Sequence, residues 1–161
     1  MEKGSIDAVV TMVPEFNNLK ELYQGNNSPL PFLKPNALWI DCSSIGVIAA
    51  REMDKLISPD GLRFVDAPVS GGVNGAKLST LSFMVGASNE QVYEETLDVI
   101  QHMGKFFFNC EGIGNGQAVK LCNNLALGIQ MRSITESMRM GKKMGISQKV
   151  ITDVLSVSSA K

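Results

Sequence analysis

Leu62-Arg63-Phe64-Val65-Asp66 runs directly into Ala67-Pro68-Val69-Ser70-Gly71-Gly72. A short apolar run ending on an acid reads as a buried strand. The glycines behind it open a loop at that strand's carboxyl end, where open α/β sheets hold their ligands. Upstream, Ile6 to Met12 and Ala37 to Asp41 repeat the strand signal and read as buried strands. A helix is expected from Glu15 to Tyr23, and a second through Ile57 with Ser43 or Ser44 as its N-cap. Downstream, Leu81 to Val85 is a strand and Asn89 to Met103 a helix, with Val92, Leu97 and Ile100 on its apolar side. Lys105 to Asn109 is the last strand, with Phe106 to Phe108 fitting a buried one. Strands alternating with helices, without tight hairpin signals, predict an α/β fold with a parallel sheet.

Past Gly116 the strand signal disappears. Gln117 to Met144 reads as one long helix and Ser147 to Val157 as another, with Gly145 as the break. The change of character predicts a domain boundary near Gly112 to Gly116, with residues 1–111 α/β and residues 112–161 helical.

The bulk properties narrow the function. The chain has 161 residues, 44% hydrophobic and 19% charged, as in an ordinary globular protein. A formal net charge of -1 gives no electrostatic ground for a nucleic acid or an anionic membrane as partner. No apolar run reaches the length of a membrane span. The three cysteines, Cys42, Cys110 and Cys122, are odd in number and lack metal-site spacing, so reduced thiols and no metal are expected. The opening Met1-Glu2-Lys3-Gly4-Ser5 has no signal-peptide pattern.

Two segments carry candidate chemistry. In Ser70-Gly71-Gly72, consecutive flexible amides and a hydroxyl are able to cradle an anion; the plain alternative is a surface turn. In Gly116-Gln117-Ala118-Val119-Lys120-Leu121-Cys122-Asn123-Asn124, Lys120 and Asn124 share a helix face, with Asn123 beside them. Apolar neighbours lower a lysine pKa by desolvation and fit it for proton transfer. The plain alternative is a solvated lysine on a polar stripe. A third segment, Gly112-Ile113-Gly114-Asn115-Gly116, imitates a dinucleotide-binding loop. Gln117 stands where the third glycine belongs, and Glu136 lies inside a helix instead of ending a strand, so a hinge is expected there. His102, the single histidine, has no acid–base partner in the sequence.

Taken in order, these segments resemble the β-hydroxyacid dehydrogenase family. The resemblance rests on Asp66 to Gly72, Met84-Val85-Gly86 and Gly114 to Asn124, together with Thr11-Met12-Val13-Pro14 and Ile40-Asp41-Cys42-Ser43-Ser44. It implies a partial Rossmann-like parallel sheet, a long interdomain helix and the start of an all-α domain. It also implies hydride transfer between NAD, with NADP open, and a small 3-hydroxy acid. Lys120 matches the catalytic lysine. Asn124, with Asn123 beside it, matches the substrate-binding asparagine. Ser70, Gly71 and Gly72 match the loop that holds the substrate carboxylate, and Val13, Pro14, Asn18 and Ser44 match cofactor-touching positions. The wording is nearer to the family's 3-hydroxyisobutyrate branch than to its 6-phosphogluconate branch. A tartronate semialdehyde reductase-like enzyme and a non-catalytic relative are the alternatives. The family pattern further implies a homo-oligomer, a mitochondrial location in a eukaryote and a cytoplasmic one otherwise. It places a glycine-rich βαβ unit before this sequence and more helices after it, so a central portion of a family member is expected. The sequence departs from the pattern in three places: Ser44 for threonine, Gly46-Val47 for Asp-Pro, and Ser79 for glycine.

Overall fold

The computed structural model describes residues 2–160. Its first unit ends at Leu121 and its second begins at Cys122. In the first unit, β1 (Ile6–Thr11), β2 (Leu33–Asp41) and β3 (Arg63–Asp66) form a parallel sheet in that order. A second sheet has the order β4 (Val69–Ser70), β5 (Leu81–Val85), β6 (Gly104–Asn109). β5 and β6 are parallel, and β4 and β5 antiparallel. An antiparallel bridge between Asp66 and Gly86 joins the two sheets.

The helices alternate with these strands: α1 (Phe16–Gln24), α2 (Val47–Ile57), α3 (Gly72–Lys77) and α4 (Glu90–Ile100). The 29-residue α5 (Asn115–Lys143) begins in the first unit, and α6 (Gln148–Val157) completes the second.

The alternation of side chains along β2 explains the layering. Leu38, Ile40 and Cys42 pack with Val92, Tyr93 and Ile100 of α4, while Ala37 and Trp39 pack with α1 and α2. Trp39 is fully buried, and the Tyr23 ring meets it edge-on at 5.8 Å. A strand covered on both faces has to be a continuous apolar run, which is why β2 is so readable.

Several sequence expectations are corrected. β1 and β6 are edge strands, so neither is buried throughout; Val10, Phe106 and Phe108 are exposed, and only Phe107 stacks inward, on Phe83. The glycine-rich segment after Pro68 contains β4 and α3, and it introduces an antiparallel pair into a sheet expected to be parallel. Ser79, in the turn that returns α3 to β5, has φ 54°, a left-handed conformation that glycine adopts more readily. α2 begins at Val47 behind Gly46, not at Ser43 or Ser44, because the Ser43 hydroxyl is engaged elsewhere.

In the second unit Ser147 caps α6 by accepting the Val150 amide. Most side chains there are exposed, including Met131, Met140 and Met144.

Candidate functional site

The site begins with a polar row across three strand ends. Thr11, Asp41 and Asp66 are register partners on β1, β2 and β3, so their side chains share one face. Asp41 Oδ1 accepts from Thr11 Oγ1 and Ser43 Oγ, both at 2.8 Å. Trp39 Nε1 donates to Thr11 Oγ1, and Ser43 Oγ accepts the Val13 amide at 2.8 Å. Asp41 Oδ2 is buried without a hydrogen-bond partner. Burial raises the Asp41 pKa, against the bonds from Ser43 and Thr11.

Asp66 is fully buried and fixes the start of α5. Its Oδ1 accepts the Gly114 amide at 2.6 Å and its Oδ2 the Gln117 amide at 2.9 Å. These are orphan donors of a helix N-terminus, where a carboxylate is also favoured by the helix dipole. Burial nevertheless pushes the Asp66 carboxyl up to about 7, with the Asp41 charge adding to it and the two amide bonds opposing. The approach is close enough to exclude side chains: a Cβ on Gly116 would collide with the Met84 carbonyl and lie 2.8 Å from the Asp66 carbonyl. The Gly112 to Gly116 segment lies inside the first unit, with the Gly114 amide held by Asp66. Its amides face a carboxylate of the same chain, which also explains why it imitates a dinucleotide loop.

The next turn of α5 carries Lys120. Its half-buried side chain reaches β4, where Nζ donates to the Val69 carbonyl at 2.7 Å. Burial lowers its pKa from the ordinary 10.5. The Val69 carbonyl immediately precedes Ser70, Gly71 and Gly72. Gly71 at φ 132° and Gly72 at φ 61° form a turn only glycine enters easily, and Ser70 is half-buried at its lip. Lys120 and the Ser70 turn thus come together. Asn123 and Asn124 are exposed residues of the second unit, three and four positions further along the same helix.

Of the remaining expected positions, Val13, Pro14 and Asn18 line one cavity of about 390 Å³ beside α1, together with Glu21 and Asn26. Ser44 is exposed and outside that lining, although its neighbour Ser43 binds the Val13 amide.

Three residues of this corner escaped sequence reasoning as individuals. Asp41 and Asp66 were visible only as letters of a motif; the available signal was an acid ending each of two adjacent apolar strands. Gln117 is only 1% exposed, with its carboxamide bonded to the Ser43 carbonyl and the Gly46 amide. Its signal was a second amide, after Asn115, in the first turn of α5.

Comparison with known proteins gives this geometry a family. Residues 2–114 match the model of the NAD binding domain of 6-phosphogluconate dehydrogenase. Residues 114–161 match that of the NAD-binding segment of NADP-dependent 3-hydroxyisobutyrate dehydrogenase. The chain belongs to the β-hydroxyacid dehydrogenase family. Among its relatives, the probable mitochondrial 3-hydroxyisobutyrate dehydrogenase of Dictyostelium discoideum is 38% identical over 155 residues, covering 96% of this chain and 48% of that protein. The 3-hydroxyisobutyrate dehydrogenase of Pseudomonas aeruginosa is 37% identical, covering 95% and 51%. The solved Mycobacterium tuberculosis 3-hydroxyisobutyrate dehydrogenase with L-serine superposes with a TM-score of 0.85 at 35% identity, covering 98% of this chain and 53% of that one. The chain spans about half the length of the curated relatives it matches. NAD or NADP is the cofactor of this family, and the fold is Rossmann-like. Among the described residues, no helix is long and apolar enough to cross a membrane.

Proposed function

We propose that this chain contributes the proton-transfer lysine and the carboxylate-gripping turn of a nicotinamide-dependent dehydrogenase acting on a small 3-hydroxy acid. The observation that carries the proposal is the 2.7 Å bond from Lys120 Nζ to the Val69 carbonyl, at the lip of the Ser70 turn. Residues 1–111 are read as the later part of the NAD-binding domain and residues 112–161 as the beginning of the helical domain.

The chemistry follows from the groups present. Ser70, Gly71 and Gly72 bind the substrate carboxylate through a hydroxyl and flexible amides. With that end anchored, the β-hydroxyl falls to Lys120, which in its neutral form takes the hydroxyl proton and in its charged form returns it to a carbonyl. Asn124, with Asn123, holds the reacting oxygen. The nicotinamide supplies the hydride acceptor when bound. Val13, Pro14 and Asn18 suit its nicotinamide–ribose end, because their cavity is lined by neutral residues and Glu21, with no cation to pair with a phosphate. Neither that cavity nor the Gly114 and Gln117 amides, already held by Asp66, offers a diphosphate site. Ser44 is assigned to the nicotinamide side through its neighbour Ser43.

3-Hydroxyisobutyrate, oxidised to methylmalonate semialdehyde as in valine breakdown, is the substrate best supported by the relatives. L-serine, bound in the Mycobacterium structure, is itself a 3-hydroxy acid and agrees with that class. A homo-oligomer, mitochondrial in a eukaryote and cytoplasmic otherwise, completes the reading. The test is turnover of 3-hydroxyisobutyrate with NAD, followed by nicotinamide absorbance, in wild type and Lys120→Ala. We expect Lys120→Ala to lose about a hundredfold or more in kcat with an unchanged melting temperature. Wild-type kcat in the variant contradicts the assignment.

A further inference from the structure

The proposed chemistry leaves one buried side chain of α5, that of Gln117, without a role. Gln117 sits one turn before Lys120 on α5 and is almost completely buried. Its carboxamide makes two long-range bonds. Nε2 donates to the Ser43 carbonyl at 2.8 Å, and Oε1 accepts the Gly46 amide at 3.1 Å. Ser43 and Gly46 bracket Ser44 in the loop between β2 and α2. Gly46 has a positive φ of 90°, a conformation that glycine adopts readily. The same loop reaches β1 through Ser43 Oγ, which accepts the Val13 amide.

We propose that Gln117 is a positioning residue: its buried carboxamide ties the Ser43–Gly46 loop to α5, and so holds Ser44 and Val13 in register with the Lys120 amine. The inference rests on the oxidoreductase reading for what that register serves, and on the two bonds for its existence. A carboxamide gives a donor to one backbone group and an acceptor to another from a single planar group at any pH. Leucine fills the same space and strands both the Ser43 carbonyl and the Gly46 amide in a dry environment. Glutamate keeps the acceptor for Gly46 but, when charged, turns an oxygen toward the Ser43 carbonyl; protonation restores the donor. Lys120 reaches Val69 without Gln117, and burial is what lowers its pKa.

The experiment compares wild type, Gln117→Leu and Gln117→Glu by amide hydrogen exchange at Gly46 and by steady-state kinetics with NAD and 3-hydroxyisobutyrate. In Gln117→Leu we expect Gly46 to exchange roughly tenfold faster. We also expect the KM for NAD to rise and kcat to fall, while the pH limb set by Lys120 stays in place. In Gln117→Glu, Gly46 stays protected; activity relative to wild type is low at pH 8 and recovers at pH 5.5. A purely structural role lowers the melting temperature without this pH rescue or KM change, and overturns the proposal. Unchanged Gly46 exchange in Gln117→Leu overturns it as well. Should Gln117→Leu fail to fold, the pH pair in Gln117→Glu decides. A wild type that turns over no 3-hydroxy acid sinks the oxidoreductase reading alone, and Gly46 exchange still decides the tie.

Discussion

The corner of the first unit around Asp66 and the helices of the second unit are built on opposite principles. In the corner, Asp41, Asp66, Gln117 and Thr11 are all buried, and nearly every polar atom has a partner at a fixed distance. From Cys122 onward, Gly141 is the one buried position among the described residues, and apolar side chains such as Leu125, Ile129 and Met140 face outward. A buried polar network fixes geometry because each group left unpaired costs about 1–3 kcal/mol. An amphipathic helix without a closed core fixes only its own backbone. Positional accuracy in this chain resides in the corner, and α5 carries both kinds of structure along one helix.

Two glycines of α5 fall on either side of this divide. Gly116→Ala puts a methyl against the backbone carbonyls of Met84 and Asp66, atoms that cannot swing aside. We expect a loss of about 3 kcal/mol or more, read by chemical denaturation of the first unit. Gly128 has open space where its Cβ would lie. Gly128→Ala is expected to stabilise by about 0.5–1 kcal/mol, through helix propensity alone. Equal effects at the two sites erase the contrast.

The corner also carries a pH dependence. The Asp66 carboxyl is raised from 3.8 to about 7 on folding, mainly by burial. A folded pKa above the unfolded one means the native state binds more protons between those values. Its contribution to stability is full below pH 4 and is lost as pH rises through 7. Melting temperatures from pH 4 to 8 should therefore fall with pH in wild type. Asp66→Asn, which cannot titrate, is expected to be less stable at low pH because its amide faces two donors, and to show a flatter slope. A slope unchanged by the substitution assigns the titration to another group.

How much of this was legible in the sequence follows the same division. β2 and β3 were readable because burial on both faces demands uninterrupted apolar residues from Leu38 to Ile40 and from Phe64 to Val65. The edge strands misled. Phe106 to Phe108 are as apolar as a core strand, and only the sheet order reveals that two of the three rings face out. The antiparallel β4 was hidden because two residues carry no periodicity. Lys120 and the Ser70 turn were legible as motif, but their meeting through the Val69 carbonyl is a tertiary fact. Asp66 and Gln117 act through partners roughly 50 and 70 residues away in sequence, a distance that local pattern does not report.

The central claim, that the Lys120 amine handles the substrate proton, meets its most direct test in the pH profile of 3-hydroxyisobutyrate oxidation by wild type and Lys120→Arg. Burial holds the Lys120 pKa below 10.5, and oxidation requires the neutral amine. We expect the wild-type rate to climb with pH to an inflection below 10.5, and Lys120→Arg, which stays charged, to be slower by about a hundredfold or more with that limb gone. A Lys120→Arg protein that keeps both the rate and the limb contradicts the claim.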